Sequence, residues 1–470
     1  MATLIKNGTL ITASDTFQAD ILIENEQIMQ IGKNLQHPNA DIIDAAGKFI
    51  MPGGVDPHTH FDLPMFDTVS SDDHYTGHKA AAFGGTTTVM DFVVLEDEGF
   101  KYSVDLWLAK AKKAAIDYSF HMNLTKFDDK IAKEIPSLRD MGITTLKVFT
   151  AYNGKLRLDD GGIFKAIQIA KNNGMLVMAH CENGDVIDTL VPEALAAGHT
   201  TPEWHALTRP GWGAVEATLR VAGMAAESDA AVYIVHMNMG GEVDMLRYAR
   251  ERGVKAMGET CPQYLFFTIE DLRRTDGAKW ICSPPMRSAQ DNARLWEGVH
   301  DGTLQTIGTD HCAFFYDGTK PILYEGKEVK IAGKELGADD FTKIPNGLPG
   351  VQDRMPILWT YGVRAGKISA NQFVELMCTN PAKIFGLYPR KGALVPGADA
   401  DIVIWDPEKR VKYGVAHSHQ RTDYNLYEGW ELVGYPEKVF LRGKLIVDGE
   451  KWLGKAGDGE FLKRGEGEVL

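Results

Sequence analysis

Cysteine is scarce in this chain of 470 residues. The five present (Cys181, Cys261, Cys282, Cys312, Cys378) are scattered, odd in number and never in a Cys-x-x-Cys pair, which argues against a disulfide framework or a thiolate zinc site. They read as buried thiols. Long apolar runs are missing too: nothing approaches the roughly 18 uninterrupted apolar residues of a membrane span, and the first residues lack the apolar core of a secretory leader. The expectation is a cytoplasmic protein with no membrane contact. Positive charge is in deficit, since 50 Lys and Arg stand against 64 Asp and Glu for a net −14. So acidic a surface repels phosphate backbones, which excludes nucleic acid as a partner. What is present is an ordinary globular composition, 44% hydrophobic and 24% charged, able to bury a sizeable core.

The first fifty residues read as short strands, in Thr3-Leu4-Ile5-Lys6, Asp20-Ile21-Leu22-Ile23 and Gln27-Ile28-Met29-Gln30-Ile31, separated by turn residues. The same texture returns at Asp401-Ile402-Val403-Ile404-Trp405 and from Lys438 to Val447. Neither end has enough strands to be stable alone, so residues 1–50 and 391–450 are expected to form one small β-sandwich domain. Between them, residues 51–390 alternate short apolar runs with longer helical stretches. Eight runs are counted, ending at His60, Phe92, Leu124, Phe149, His180, His236, Thr260 and Asp310. Eight closes a barrel, and a TIM-like (β/α)8 unit takes about 250 residues or more. The predicted class is therefore α/β. Residues 451–470 are read as a tail in which Trp452, Phe461 and Leu462 look exposed, a possible subunit contact.

Enzymes on such barrels build their sites at the C-terminal ends of the strands. Residues two apart in extended chain face the same way, so His58 and His60 can offer two imidazoles to one point. His180 and His236 close two later runs. Either alone reads as a core histidine, but four imidazoles converging with Asp310 read as a metal site. Asp310 would otherwise only cap the helix that follows. A second His-x-His, His417-Ser418-His419, has no strand before it and reads as a loop pair. Lys147 lies inside a strand that the barrel buries on both faces, where an isolated ammonium is costly. It is either paired with a carboxylate or converted by carbon dioxide to a carbamate whose two oxygens hold one metal each.

Taken together, Gly54-Val55-Asp56-Pro57-His58-Thr59-His60, Leu146-Lys147-Val148-Phe149, Ala179-His180-Cys181-Glu182-Asn183-Gly184-Asp185, Gly258-Glu259-Thr260-Cys261-Pro262, Ser283-Pro284-Pro285-Met286-Arg287 and Ile344-Pro345-Asn346-Gly347 resemble the D-hydantoinase and dihydropyrimidinase family of cyclic amidohydrolases. The resemblance runs over nearly the whole chain. It implies two divalent metal ions per subunit, zinc first, with manganese or cobalt as alternatives. His58, His60 and Asp310 would hold the more buried ion, His180 and His236 the more exposed one, and N6-carboxylated Lys147 would bridge them. A hydroxide shared by the metals would open the ring, Asp310 would shuttle the proton and Tyr152 would donate to the oxyanion. Backbone groups at Ser283 and Asn346 would clasp the cyclic amide edge. A homotetramer, or a dimer, is implied as well.

The reaction expected is hydrolysis of 5,6-dihydropyrimidines and 5-substituted hydantoins to N-carbamoyl amino acids. Allantoinase and dihydroorotase are the alternatives. Dihydroorotases similar to this fold carry an arginine two residues after the second histidine, to grip the substrate carboxylate; Asp62 stands there and would repel it. A non-catalytic scaffold of the same fold is disfavoured because all six ligand positions carry suitable side chains. Met237-Asn238 and Leu348 depart from the family pattern near the pocket. Leu63–Phe66, Val93–Leu95 and Tyr152–Asn153 are expected to set side-chain preference.

Overall fold

The structure, a computed structural model, describes residues 2–65 and 67–470. Eight parallel strands stand side by side in chain order: β1 (Gly54–Thr59), β2 (Thr86–Val93), β3 (Asp117–Asn123), β4 (Thr145–Phe149), β5 (Leu176–His180), β6 (Ala231–Ile234), β7 (Lys255–Thr260) and β8 (Thr306–Ile307). The ring is joined past β8, where Thr59 bridges His311 and the His60 N–H donates to the His311 carbonyl at 2.7 Å. This is a TIM-like (β/α)8 barrel. Every residue of β1 to β4 is buried, as a parallel sheet covered by helices on one side and filled on the other requires.

The helices between strands follow from local signals. Asp160–Asn172 buries Ile163, Ala166, Ile167 and Ala170, an i, i+3, i+4, i+7 stripe, against the barrel. It starts where the Asp159 carboxylate accepts the Gly162 N–H at 2.7 Å, satisfying a donor that the first turn leaves free. Asp128, Asn183 and Ser288 cap their helices the same way.

A separate mixed sheet of nine strands is built from both ends of the chain. Ala2–Ile11, Thr16–Glu24, Gln27–Gly32, Ala40–Asp44 and Phe49–Pro52 come from the first end; Ile402–Lys412, Glu431–Leu441, Lys444–Asp448 and Lys451–Trp452 come from the second. The seam is antiparallel, with Ile50 opposite Ile404. Ile5, Ile21, Ile23, Ile50, Ile402, Ile404 and Phe440 form a core of their own beneath it. The run from Lys438 to Val447 holds parts of two strands: Arg442 and Gly443 both take positive φ (44° and 74°) and turn the chain into a hairpin. Lys391, 1% exposed, joins the two units by ion pairs to Asp117 of β3 (2.6 Å), Asp399 (3.0 Å) and Asp401 (2.8 Å).

The tail folds back on its own barrel. Leu462, expected at the surface, is fully buried, because its N–H donates to Tyr118 and Phe461 packs on Tyr118 and Phe120. All five cysteines are buried and unpaired. Among the described residues no helix is long and apolar enough to cross a membrane.

Candidate metal centre and active site

His58, near the end of β1, is the hub. Its Nε2 lies 2.9 Å from Lys147 Nζ of β4 and 3.1 Å from Asp310 Oδ1, which also meets His60 Nε2 at 3.0 Å. Asp56 fixes this register: its carboxylate accepts the Thr309 hydroxyl at 2.6 Å, the Thr309 N–H at 3.1 Å and the His58 N–H at 3.2 Å, tying β1 to the segment after β8. On the far side, His180 Nδ1 stands 3.0 Å from His236 Nε2. Ligand atoms of His58, His236 and Asp310 all lie within 4.8 Å of one another. The barrel thus gathers all six predicted ligand side chains at one end.

Three of them lie beyond the strands that were expected to end on them, His60 by a single residue and the other two by more. β6 stops at Ile234 and β8 at Ile307, and the chain then turns so that His236 (φ 38°) and Asp310 (φ 52°) sit in left-handed backbone. Tyr152, three residues past β4, does the same at φ 67°. A straight strand would carry alternate side chains away from the axis. Leaving the ladder aims them across it, a local cost that the surrounding packing sustains.

The donor set suits cations. Burial pushes His60 down to about 4, and burial with the neighbouring His180 holds His236 well below the ordinary imidazole value, so both keep lone pairs free. Burial opposes charge on Asp310, yet the charge on His58, with hydrogen bonds from His58 and His60, outweighs it and holds the carboxyl well below its usual range. His58 goes the other way, because Asp310 and Glu259 outweigh burial and Lys147. His60 Nδ1 and His236 Nδ1 are buried atoms with no hydrogen-bond partner among the described residues. Imidazoles, one carboxylate and a lysine with no hydrogen-bonded acid fit a pair of divalent metals of the zinc, manganese or cobalt kind.

Sequence reasoning missed two carboxylates behind the clustered histidines. Glu259, on β7, meets His58 Nδ1 at 2.7 Å and accepts the His236 N–H at 3.0 Å and the Tyr233 hydroxyl at 3.0 Å. Glu182 meets His180 Nε2 at 2.8 Å, and that bond overcomes burial to keep its carboxyl low. A charged residue in a strand buried on both faces, the signal that singled out Lys147, pointed equally to Glu259. Such partners fix the imidazole tautomer and orientation.

Tyr152 is a rim residue whose ring lies 5.3 Å from that of His180, with the Ser283 hydroxyl as a polar neighbour. Burial and the Glu182 charge push its phenol well up, so it stays a donor. Asn346 Nδ2 donates to Ser283 Oγ at 3.1 Å, which brings those two segments together. His417 and His419 take no part: His417 is exposed and His419 stacks on Phe83, ring centroids 3.5 Å apart. Asp62, in left-handed backbone at φ 51°, pairs with Lys113 at 3.2 Å. Leu63 and Leu95 are buried; Phe66 lies outside the described residues.

The sequence profile of the amidohydrolase family matches residues 49–446. The chain belongs to that family. This amidohydrolase is 43% identical to the D-hydantoinase of Geobacillus stearothermophilus over 469 residues, 99% of this chain and 97% of the relative. It is 38% identical to an Escherichia coli D-phenylhydantoinase over 99% of this chain and 98% of that one. Among solved structures, the dihydropyrimidinase of Brevibacillus agri NCHU1002 superposes with a TM-score of 0.95 at 45% identity, covering both chains completely. These relatives set the amidohydrolase in the D-hydantoinase and dihydropyrimidinase branch.

Proposed function

We propose that this hydrolase opens 5,6-dihydropyrimidines and 5-substituted hydantoins to N-carbamoyl amino acids, with residues 51–390 as the catalytic unit. The observation that carries the reading is the gathering of four imidazoles, Lys147 and Asp310 at one end of the barrel in a chain that matches hydantoinases over its full length. His58, His60 and Asp310 would hold one divalent metal and His180 with His236 a second. Lys147, after its amine adds to carbon dioxide and releases a proton, would bridge them. Bound metals acidify water and offset negative charge on the substrate carbonyl oxygen.

The side chains divide the remaining work. Asp310, kept ionised by its histidine partners, takes a proton from the attacking water as the new C–O bond forms. Tyr152, kept protonated, donates to the oxyanion of the tetrahedral adduct. Backbone groups of Ser283 and Asn346 hold the amide edge in place. The ring C–N bond then breaks, and Asp310 returns the proton to the departing nitrogen. Steady-state turnover of dihydrouracil, a 5-substituted hydantoin, allantoin and dihydroorotate by metal-reconstituted protein tests this. The first two should be preferred; preferred turnover of either of the others overturns the assignment. The reading extends to a cytoplasmic homotetramer, or a dimer, supported by resemblance and checked by light scattering.

A further inference from the structure

Ile281–Ser283 and Pro345–Gly347, the two segments of the proposed clasp, lie outside every helix and strand. Backbone of that kind needs anchors from elsewhere. Lys334, in the long connection that follows β8, supplies one: its Nζ donates to the Ile281 carbonyl and to the Pro345 carbonyl, each at 3.0 Å. The side chain is 1% exposed, and among the described residues no carboxylate pairs with it. Burial pushes its ammonium down to about 7. A methionine would fill similar space without desolvating an amine, so packing alone does not account for a lysine here.

The geometry of the peptide unit says what the lysine can do. In a trans peptide the C=O and N–H of one unit point in opposite directions. The bond to the Pro345 carbonyl therefore turns the N–H of Asn346, which belongs to the same unit, away from the lysine. That N–H finds no protein acceptor among the described residues. An amide whose oxygen already accepts a strong hydrogen bond is a better donor at its nitrogen. The Ile281 carbonyl also receives the Gly347 N–H at 3.1 Å, and Asn346 Nδ2 bonds Ser283 Oγ, so the two segments are pinned at a fixed separation.

We propose that Lys334 is a positioning residue: it sets the spacing of the Ser283 and Asn346 backbone groups and strengthens the Asn346 N–H that grips the cyclic amide oxygen. The proposal rests on the clasp assigned above. Lys334→Met and Lys334→Gln are compared with the wild-type chain, all metal-reconstituted, using dihydrouracil. With both Nζ hydrogen bonds lost from the clasp, Lys334→Met should raise KM about tenfold, with kcat nearly unchanged and bound metal per chain the same. Lys334→Gln, which keeps one amide donor, should fall between. An unchanged KM in Lys334→Met, or failure of both variants to fold and hold metal, gives Lys334 a structural role only and overturns the proposal. A wild-type chain that turns over no cyclic amide sinks the functional reading and this proposal with it. An active wild type beside an unaltered variant sinks the proposal alone.

Discussion

Lys147 carries a charge problem that its neighbours do not solve. Its Nζ lies over the Phe92 ring at 4.3 Å and against His58 Nε2 at 2.9 Å, and burial lowers the affinity of the amine for its proton. Conversion to a carbamate would replace a buried cation with an anion able to hold metal. Lys147→Ala should therefore lose bound metal, and turnover should fall by more than about 100-fold, the scale reached by losing even an outer partner of a metal ligand. Added acetate or propionate should restore part of both; full turnover with both ions retained, by elemental analysis and assay, would discard the carbamate. Tyr152→Phe removes the phenol donor with little change in shape. Its kcat should drop about 10²- to 10³-fold with metal content intact, the effect of deleting one oxyanion donor. Both positions were singled out in the sequence, Lys147 because a cation within a doubly buried strand demands a reason and Tyr152 through the family resemblance alone.

At the scale of the element, β1, β4 and β5 deliver their candidate ligands from within or directly after extended backbone, whereas β6 and β8 stop short and hand theirs to left-handed turns. Apolar periodicity located these strands but could not show where each ladder ends, because pairing is decided by the neighbour. β7 supplies no ligand, yet Glu259 on it orients His58 and, through a backbone N–H, His236. Glu259→Gln preserves size and removes the charge. It should weaken metal affinity about 10- to 100-fold without unfolding the barrel, measured by competition with a chromogenic chelator. Unchanged affinity would reduce Glu259 to a packing residue.

The whole molecule joins a barrel to a sheet made from both chain ends, and Lys391 with Asp117, Asp399 and Asp401 forms a buried knot between them. Lys391→Met leaves Asp117 with Arg442 and Asp399 with Arg390 but Asp401 with no other side-chain cation among the described residues, and should cost about 3–5 kcal/mol in guanidinium unfolding, because removing one partner strands a buried carboxylate in a poor solvent for charge. Stripping metal should lower the melting temperature, since ligand at 100 times its Kd contributes about 2.7 kcal/mol to the folded state; identical melting with and without chelator would contradict a resident metal. By itself the sequence determined the barrel, its eight strands, the union of the two ends and the six side chains that meet at one end of the barrel. Hydrophobic period and the anomaly of charge in buried strands are local properties, written in the order of residues. Only the tertiary structure decided that Glu259 and Glu182 back the histidines, that Asp62 faces Lys113, that Leu462 is interior and that Lys334 reaches two carbonyls. Each of those depends on a partner far away in the chain, brought into contact by closure of the ring.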